Sequence, residues 1–403
     1  MRKIKLVAGL VCPRRSLDYK KLEKYFLANN CELTSDPNEA TDIILITCAF
    51  IERSIQEGLK LIKILKKCQG RLVVGGCLSD IDSSRLSEIF NGDIFTTKNI
   101  DLIDNYFPEF GISINDIDDA NTFHDYEEVN SILGDRKRNK VIEQYYINPY
   151  RKDKGTFTIR IGFGCNCKCS YCSHRNAIGK YRSKSIEDCI KEFEAGYNKE
   201  FRIFKLTSMD TGYYGRDIKS SLPQLMKIFL DIHHDISFYL DDINPMWVVK
   251  YRDVFTRLYK HNLLIGMQSP IQTGSKPLLR KMNRNLDYEK AISFFSEYKI
   301  FNKDNVLATE IIVGFPTETM DDFKKTIDFI HQSKIEFVYI YPYYENQYVD
   351  SKDIFPKCTE DEKCERIKYA IESLDKFEIS YNIFLDYFSE ENSKLIWETF
   401  NKQ

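Results

Sequence analysis

Four cysteines, Cys165, Cys167, Cys169 and Cys172, fall within eight positions of the stretch RIGFGCNCKCSYC. Thiolates this close in sequence bind something together, and soft sulfur suits transition metals. Cys165, Cys169 and Cys172 have the spacing C-x3-C-x2-C, and Cys167 lies inside it as a passenger. A structural zinc needs four ligands, normally as two separated pairs, so four cysteines in one short loop fit a tetrahedral zinc poorly. The spacing singles out three thiolates.

A second set is scattered. Cys12, Cys48 and Cys77 each close an apolar, β-branched run: KIKLVAGLVC, DIILITC and RLVVGGC. Between the runs lie LDYKKLEKYFLANN and ERSIQEGLKLIKILKKC, with apolar residues at helical spacing. Strands alternating with helices predict a parallel sheet covered on both faces. Ligands of such sheets sit beyond the carboxyl ends of the strands, so Cys12, Cys48 and Cys77 are expected together there. Cys31, Cys68, Cys189, Cys358 and Cys364 sit in helical patterns and read as core or surface.

Bulk properties narrow the setting. The chain has 403 residues with 43% hydrophobic and 29% charged residues, enough for two or three soluble domains. A net charge of -2 gives no global pull towards nucleic acid, so an anionic partner needs a local patch. The opening MRKIKLVAGLVCP has too short an apolar run for a signal peptide, and Val11 is not a small cleavage-site residue. No stretch reaches the roughly 18 to 20 apolar residues of a membrane span. A cytoplasmic location without membrane association is expected, where twelve cysteines are not a disulfide framework.

The elements divide the chain into residues 1–135, a basic linker 136–155, a second α/β series 156–345 and a helical extension 346–403. The linker sets seven Lys and Arg residues against Glu143 and Asp153. In the second series TFTIRIGF, FRIFKLTSM, ISFYLDD, LLIGMQSP, ATEIIVGF and FVYIYPYY read as strands, about six strand–helix units of a barrel. The cysteine-rich loop follows the first of them, at the carboxyl end where barrel active sites form. The segment EDEKCERIKYAIESLDKFEISYNIF reads as one helix.

On these motifs the chain resembles the radical S-adenosylmethionine (SAM) superfamily. GCNCKCSYC, LTSMDTGYYGRD, SPIQTGSKPLLRKMNR and TEIIVGFPTETMDDF, with LITCAFIERS, VVGGCLSD and FTTKNIDLI before them, are similar in order to its methylthiotransferase family. LTSMDTGYYGRD is most like the branch acting on N6-threonylcarbamoyladenosine in tRNA. The resemblance spans roughly residues 1–385. It implies an N-terminal doubly wound parallel-sheet domain, a radical SAM partial (β/α)6 barrel and a short helical tail. It implies two [4Fe–4S] clusters, on Cys165, Cys169 and Cys172 and on Cys12, Cys48 and Cys77, with SAM on the open iron of the first. It also implies SAM contacts from Gly164, Tyr171, Arg182, Ser208, Asp210, Gln272, Ser275 and Gly314.

The activity implied is sulfur insertion at an unactivated C–H bond, followed by methylation from a second SAM. The partners implied are a macromolecular acceptor and an electron donor such as flavodoxin or ferredoxin. Several departures fall on the substrate side. The first strand-end cysteine is followed by CPRRSLDYKK, where the family has a polar segment with asparagine, so Arg14 and Arg15 are expected beside the second cluster. Ile178 and Gly179 replace an arginine-glycine pair, Gln268 replaces a histidine, and YYENQYVDSKD replaces an arginine-rich loop. After Phe384 only LDYFSEENSKLIWETFNKQ remains, too short and too helical for the TRAM barrel that grips tRNA in the family. That directs the expectation towards a peptide or protein side chain as acceptor. Alternatives are tRNA adenosine-37 without the TRAM domain, or peptide modification in which the second cluster only relays electrons.

Overall fold

The computed structural model describes residues 1–9, 12–122, 155–384, 388–389, 391–394 and 396, in two compact units. The first holds the described residues up to 122 with Phe163–Cys165 and Ser173–Lys180; the second holds the others. The basic stretch expected at 136–155 lies, apart from Gly155, outside the described residues.

The first unit runs β1 (Lys3–Ala8), α1 (Pro13–Ala28), β2 (Glu32–Leu33), β3 (Asp42–Thr47), α2 (Glu52–Leu65), β4 (Arg71–Gly76), α3 (Leu78–Ile81), α4 (Ser83–Ile89) and β5 (Asp93–Ile94), then α5 (His174–Ile178). All five strands are parallel, in the order β2-β1-β3-β4-β5. Every residue of β3 is buried, as a central strand covered on both faces requires. The order switches direction at β1 and β3, where the crevice of a doubly wound sheet opens at the carboxyl ends. The two-residue edge strands β2 and β5 are too short to leave a periodic trace in the sequence. β1 stops at Ala8, so Cys12 stands beyond the strand at the N-cap of α1, with Pro13 in the first turn, rather than at the strand end.

The second unit begins with β6 (Thr156–Arg160), and β7 (Gly162–Phe163) follows in the chain. Then come β8 (Arg182–Ser183), α6 (Ile186–Asn198), β9 (Ile203–Thr207), α7 (Leu222–Ile232), β10 (Ser237–Leu240), α8 (Pro245–Lys250) and α9 (Arg252–Lys260). β11 (Leu264–Gln268), α10 (Lys276–Lys281), α11 (Tyr288–Phe301), β12 (Val306–Val313), α12 (Met320–Gln332), β13 (Phe337–Pro342), α13 (Glu360–Lys376) and β14 (Ser380–Ile383) complete it. Seven parallel strands pair in the order β14-β13-β12-β11-β10-β9-β6, following the order of the chain as in a (β/α) barrel, with β7 and β8 outside this sheet. Helices bury one face of the sheet: Phe193 of α6 and Phe229 of α7 stack at 4.3 Å over a core with Ile159, Leu206, Leu240, Met267 and Ile311. Each such side chain contributes about 1.5–3 kcal/mol by leaving water. Side chains alternate along a strand, so Arg160, Thr207, Asp241, Gln268 and Glu310 point to the opposite face.

The C-terminal segment departs from the sequence reading. The helix over EDEKCERIKYAIESLDK ends at Lys376, Glu378 takes φ +56°, and Ser380–Ile383 becomes a strand on β13. Alternation in SYNIF explains the switch: Tyr381 and Ile383 pack on the helix-side core, and Phe384 stacks on Tyr341 at 4.3 Å.

Candidate functional site

In the first unit the three predicted cysteines come together. The Cys48 thiol is fully enclosed and is pushed well up by burial and by the charges of Cys12 and Cys77. Backbone N–H groups of Phe50 and Cys12 point at its sulfur and oppose that rise. Cys77 is pushed up to about 11 by burial, against the nearby positive charge of Arg15, and its Sγ lies 3.5 Å from Thr97 Oγ1. Gly76 delivers Cys77 at this point: its φ is +103°, and a Cβ there would meet the Thr47 carbonyl oxygen at 2.1 Å. Arg14 and Arg15, in the first turn of α1, are buried, and Arg15 pairs with Asp18 at 2.6 Å.

Sequence reasoning passed over one residue here. His174, two positions after Cys172, is buried and stacks on Phe50 with ring centroids 5.0 Å apart. Burial, then the charges of Arg15 and Arg14, lower it to about 4, so it is neutral at pH 7. Gly164 and Cys165 belong to the same unit. Gly164 has φ +76°, a Cβ on it would meet the Lys180 carbonyl oxygen at 2.2 Å, and the Cys165 N–H donates to Gly179 O.

In the second unit the loop carries Cys167, Cys169, Tyr171 and Cys172. Arg284, which follows α10 and was not singled out in the sequence, reaches this loop. Its Nη1 stands 3.2 Å from Tyr171 Oη and 3.8 Å from Cys169 Sγ, while Nη2 donates to Pro270 O at 2.7 Å. The Cys169 thiol is raised by its hydrogen bond with Cys167 and by burial, and Arg284 opposes the rise. Tyr171 is raised strongly by burial.

Asp210 lies three residues beyond β9 and is buried. One carboxylate oxygen accepts from Trp247 Nε1 at 2.9 Å, the other from Cys167 Sγ at 3.4 Å, and burial raises its pKa to about 6. It does not cap the next turn with its side chain. Ser208 is fully buried, with its Oγ accepting from Tyr181 Oη and from Asp210 N–H.

Gln272 follows β11 and bridges to Ile311 of β12 in a left-handed conformation, φ +68°. Its Oε1 is buried and, among the described residues, has no hydrogen-bond partner. Strain of this kind in a non-glycine residue clusters at ligand sites. Ser275 is fully buried, caps α10 and donates to Asp322 at 2.6 Å. Gly314 directly follows β12, and its N–H donates to the buried Glu318 at 2.6 Å. Arg182 is exposed on β8. Gln268, in place of the family histidine, donates to Glu310 at 2.7 Å and to Asp242 at 3.3 Å.

Comparison with known proteins fixes what this arrangement belongs to. Residues 159–330 match the radical SAM superfamily, and residues 6–97 match an uncharacterized protein family, UPF0004. The ribosomal protein uS12 methylthiotransferase RimO of Thermosipho melanesiensis is 27% identical over 400 residues, 97% of this chain and 85% of that protein. A probable threonylcarbamoyladenosine tRNA methylthiotransferase of Archaeoglobus fulgidus is 26% identical over 322 residues, 79% of this chain and 71% of its own. The chain carries a radical SAM domain and a UPF0004 domain and is similar to radical SAM methylthiotransferases over nearly its whole length. It is therefore an enzyme.

Two solved structures share the fold. The radical SAM methyltransferase TsrM of Kitasatospora setae has a TM-score of 0.58 at 12% identity, covering 85% of this chain and 73% of its own. The cobalamin-dependent radical SAM enzyme OxsB has a TM-score of 0.52 at 14% identity, covering 100% of this chain and 61% of its own. No described helix is long and apolar enough to cross a membrane.

The residues present suit the cofactors of this family. All twelve cysteines are free of disulfides, and both trios offer the soft thiolates that iron–sulfur clusters take. The buried Gln272 amide oxygen offers an acceptor to a ligand such as SAM.

Proposed function

We propose that this enzyme inserts sulfur at an unactivated C–H bond of a peptide or protein side chain and then methylates that sulfur. Cys165, Cys169 and Cys172 would hold one [4Fe–4S] cluster, and Cys12, Cys48 and Cys77 a second. The observation that carries the reading is the buried Cys48 thiol, bracketed by Cys12 and Cys77 at the crevice of a doubly wound sheet. When bound, the first cluster and SAM supply the 5′-deoxyadenosyl radical that takes the hydrogen atom.

The chain's own groups do the placing. Gly164 and Gly314 would let backbone approach SAM, and Gln272 and Tyr171 would help to hold it. Arg182 would supply a positive charge for its carboxylate, while Ser208 and Ser275 shape the turns after β9 and before α10. Asp210 holds a proton near pH 6 beside the loop and fixes Trp247. A uS12-directed relative aligned over 97% of the chain favours a protein acceptor. A second reading, tRNA adenosine-37, is favoured by the tRNA-directed relative and by LTSMDTGYYGRD.

The test incubates reconstituted enzyme, SAM and reductant with a peptide or with tRNA and looks for the mass of one added methylthio group. The reading expects that mass on the peptide, with 5′-deoxyadenosine and S-adenosylhomocysteine both released. Product on tRNA alone would move the acceptor to tRNA. Release of 5′-deoxyadenosine without S-adenosylhomocysteine would replace sulfur transfer by an electron-relay role for the second trio.

A further inference from the structure

The turn after β12 is held in a strained conformation by residues much later in the chain. Gly314 has φ +77° and Thr317 φ +71°, and a β-branched residue in the left-handed region is an outlier. Such strain persists only where the surroundings over-determine it. Here the surroundings are α13 and the segment that leads into it. Thr317 N–H donates to Pro356 O at 2.8 Å, and the Cys358 thiol reaches Phe315 O and Glu318 O, both at 3.5 Å. Arg366 of α13 is 3% exposed; its Nη2 donates to Glu318 O at 2.7 Å, and its Nε lies 3.3 Å from Glu318 Oε2. The same Oε2 accepts the Gly314 N–H, so one buried carboxyl joins both ends of the turn to α13. Lys363, one helical turn before Arg366, donates to Tyr343 O at 2.8 Å with its stem packed on Gly314. Among the described residues, Glu318 Oε1 and Arg366 Nη1 are buried without a hydrogen-bond partner.

We propose that Glu318 and Arg366 are positioning residues for SAM: they clamp α13 to the turn from Gly314 to Thr317 and fix the backbone that SAM meets. This rests on the reading above that the Gly314 turn approaches SAM. A buried carboxyl and guanidinium left half-satisfied are a poor way to stabilise a fold, since apolar side chains of similar volume are often neutral or better there. What the pair does hold is an orientation. The guanidinium is a rigid planar fork, and it reaches the carbonyl and the carboxyl of one residue together. The turn is thereby shaped before SAM arrives, and binding does not have to order it. Burial raises Glu318 to about 8, so an amide of the same shape is a close stand-in for its protonated form. The helix that the sequence shows only as a C-terminal extension becomes part of the cofactor site.

The test uses full-length protein reconstituted anaerobically with iron and sulfide, and SAM itself as the titrant. Affinity is read by calorimetry, and KM and kcat by release of 5′-deoxyadenosine. Glu318→Leu combined with Arg366→Met removes the pair together and leaves no buried charge uncompensated, so the fold and its Tm should hold. Affinity for SAM should fall by about tenfold in this double variant, with KM rising more than kcat falls. Glu318→Gln alone, which keeps an acceptor for the Gly314 N–H, should retain most of the affinity. Arg366→Lys, a point charge without the planar fork, should lie between them. Wild-type affinity in the double variant would overturn the proposal and leave the SAM reading intact. If the double variant does not fold, unchanged affinity in Arg366→Lys overturns the proposal equally. Gly314→Ala separates the two claims, because alanine is strained at φ +77°. Unchanged SAM affinity in Gly314→Ala would show that the turn does not meet SAM, and both would fail.

Discussion

The guanidinium of Arg284 stands 3.8 Å from the sulfur of Cys169, although 115 positions separate them in the chain. The same group holds Tyr171 Oη and the Pro270 carbonyl, so it ties the cysteine loop to the turn after β11. The buried Cys169 thiol is raised by its bond with Cys167 and by burial, and Arg284 is the charge that counters this. Arg284→Met should therefore cut 5′-deoxyadenosine formation by about tenfold or more, about 1.4 kcal/mol. Arg284→Lys should recover part of the loss. The EPR spectrum of the reduced protein should change with Arg284→Met, and an unchanged spectrum with unchanged turnover would contradict the role.

Gln272 combines φ +68° with a buried amide oxygen that no described group satisfies. Gln272→Gly removes both features. The cofactor-free protein should gain about 1 kcal/mol by losing left-handed strain, visible as a higher Tm. Affinity for SAM, measured by calorimetry, should fall by about tenfold, since one buried hydrogen bond is worth about 1–1.5 kcal/mol. A Tm that drops together with unchanged SAM affinity would remove Gln272 from the binding site.

Asp210 gives a pH dependence with a defined sign. Burial raises its pKa to about 6, above the ordinary value of 3.8, so the folded chain keeps a proton that the unfolded chain gives up. The folded state is therefore penalised as pH rises from about 4 through 6, by about 3 kcal/mol at neutral pH. Asp210→Asn keeps an acceptor for Trp247 and drops the penalty. Urea unfolding of cofactor-free protein should show its advantage over wild type growing between pH 4.5 and pH 7. A constant difference across that range would mean that Asp210 is ionised in the fold.

Much of this was legible in the sequence, for physical reasons. DIILIT and RLVVGG read as strands because both are buried on two faces and leave unbroken apolar runs. C-x3-C-x2-C is a local pattern, so no folding knowledge is needed to see it. Arg284 was not legible: one more cation in KMNR looks solvated, and only the folding of α10 and its following turn brings it to Tyr171. His174 was hidden for the same reason, since its partners Phe50, Arg14 and Arg15 come from over a hundred residues earlier. β14 was misread because SYNIF continues an amphipathic helix without a glycine or proline, and Glu378 makes the left-handed turn instead.

The central claim is that two trios of cysteines each hold a cluster, and iron counting after anaerobic reconstitution tests it most directly. Wild type should bind about eight irons per chain. Changing Cys165, Cys169 and Cys172 to Ala should leave about four, changing Cys12, Cys48 and Cys77 should leave about four, and Cys167→Ala should leave all of them. Iron that is unaffected by changing Cys12, Cys48 and Cys77, or one zinc per chain in place of iron, would contradict the account.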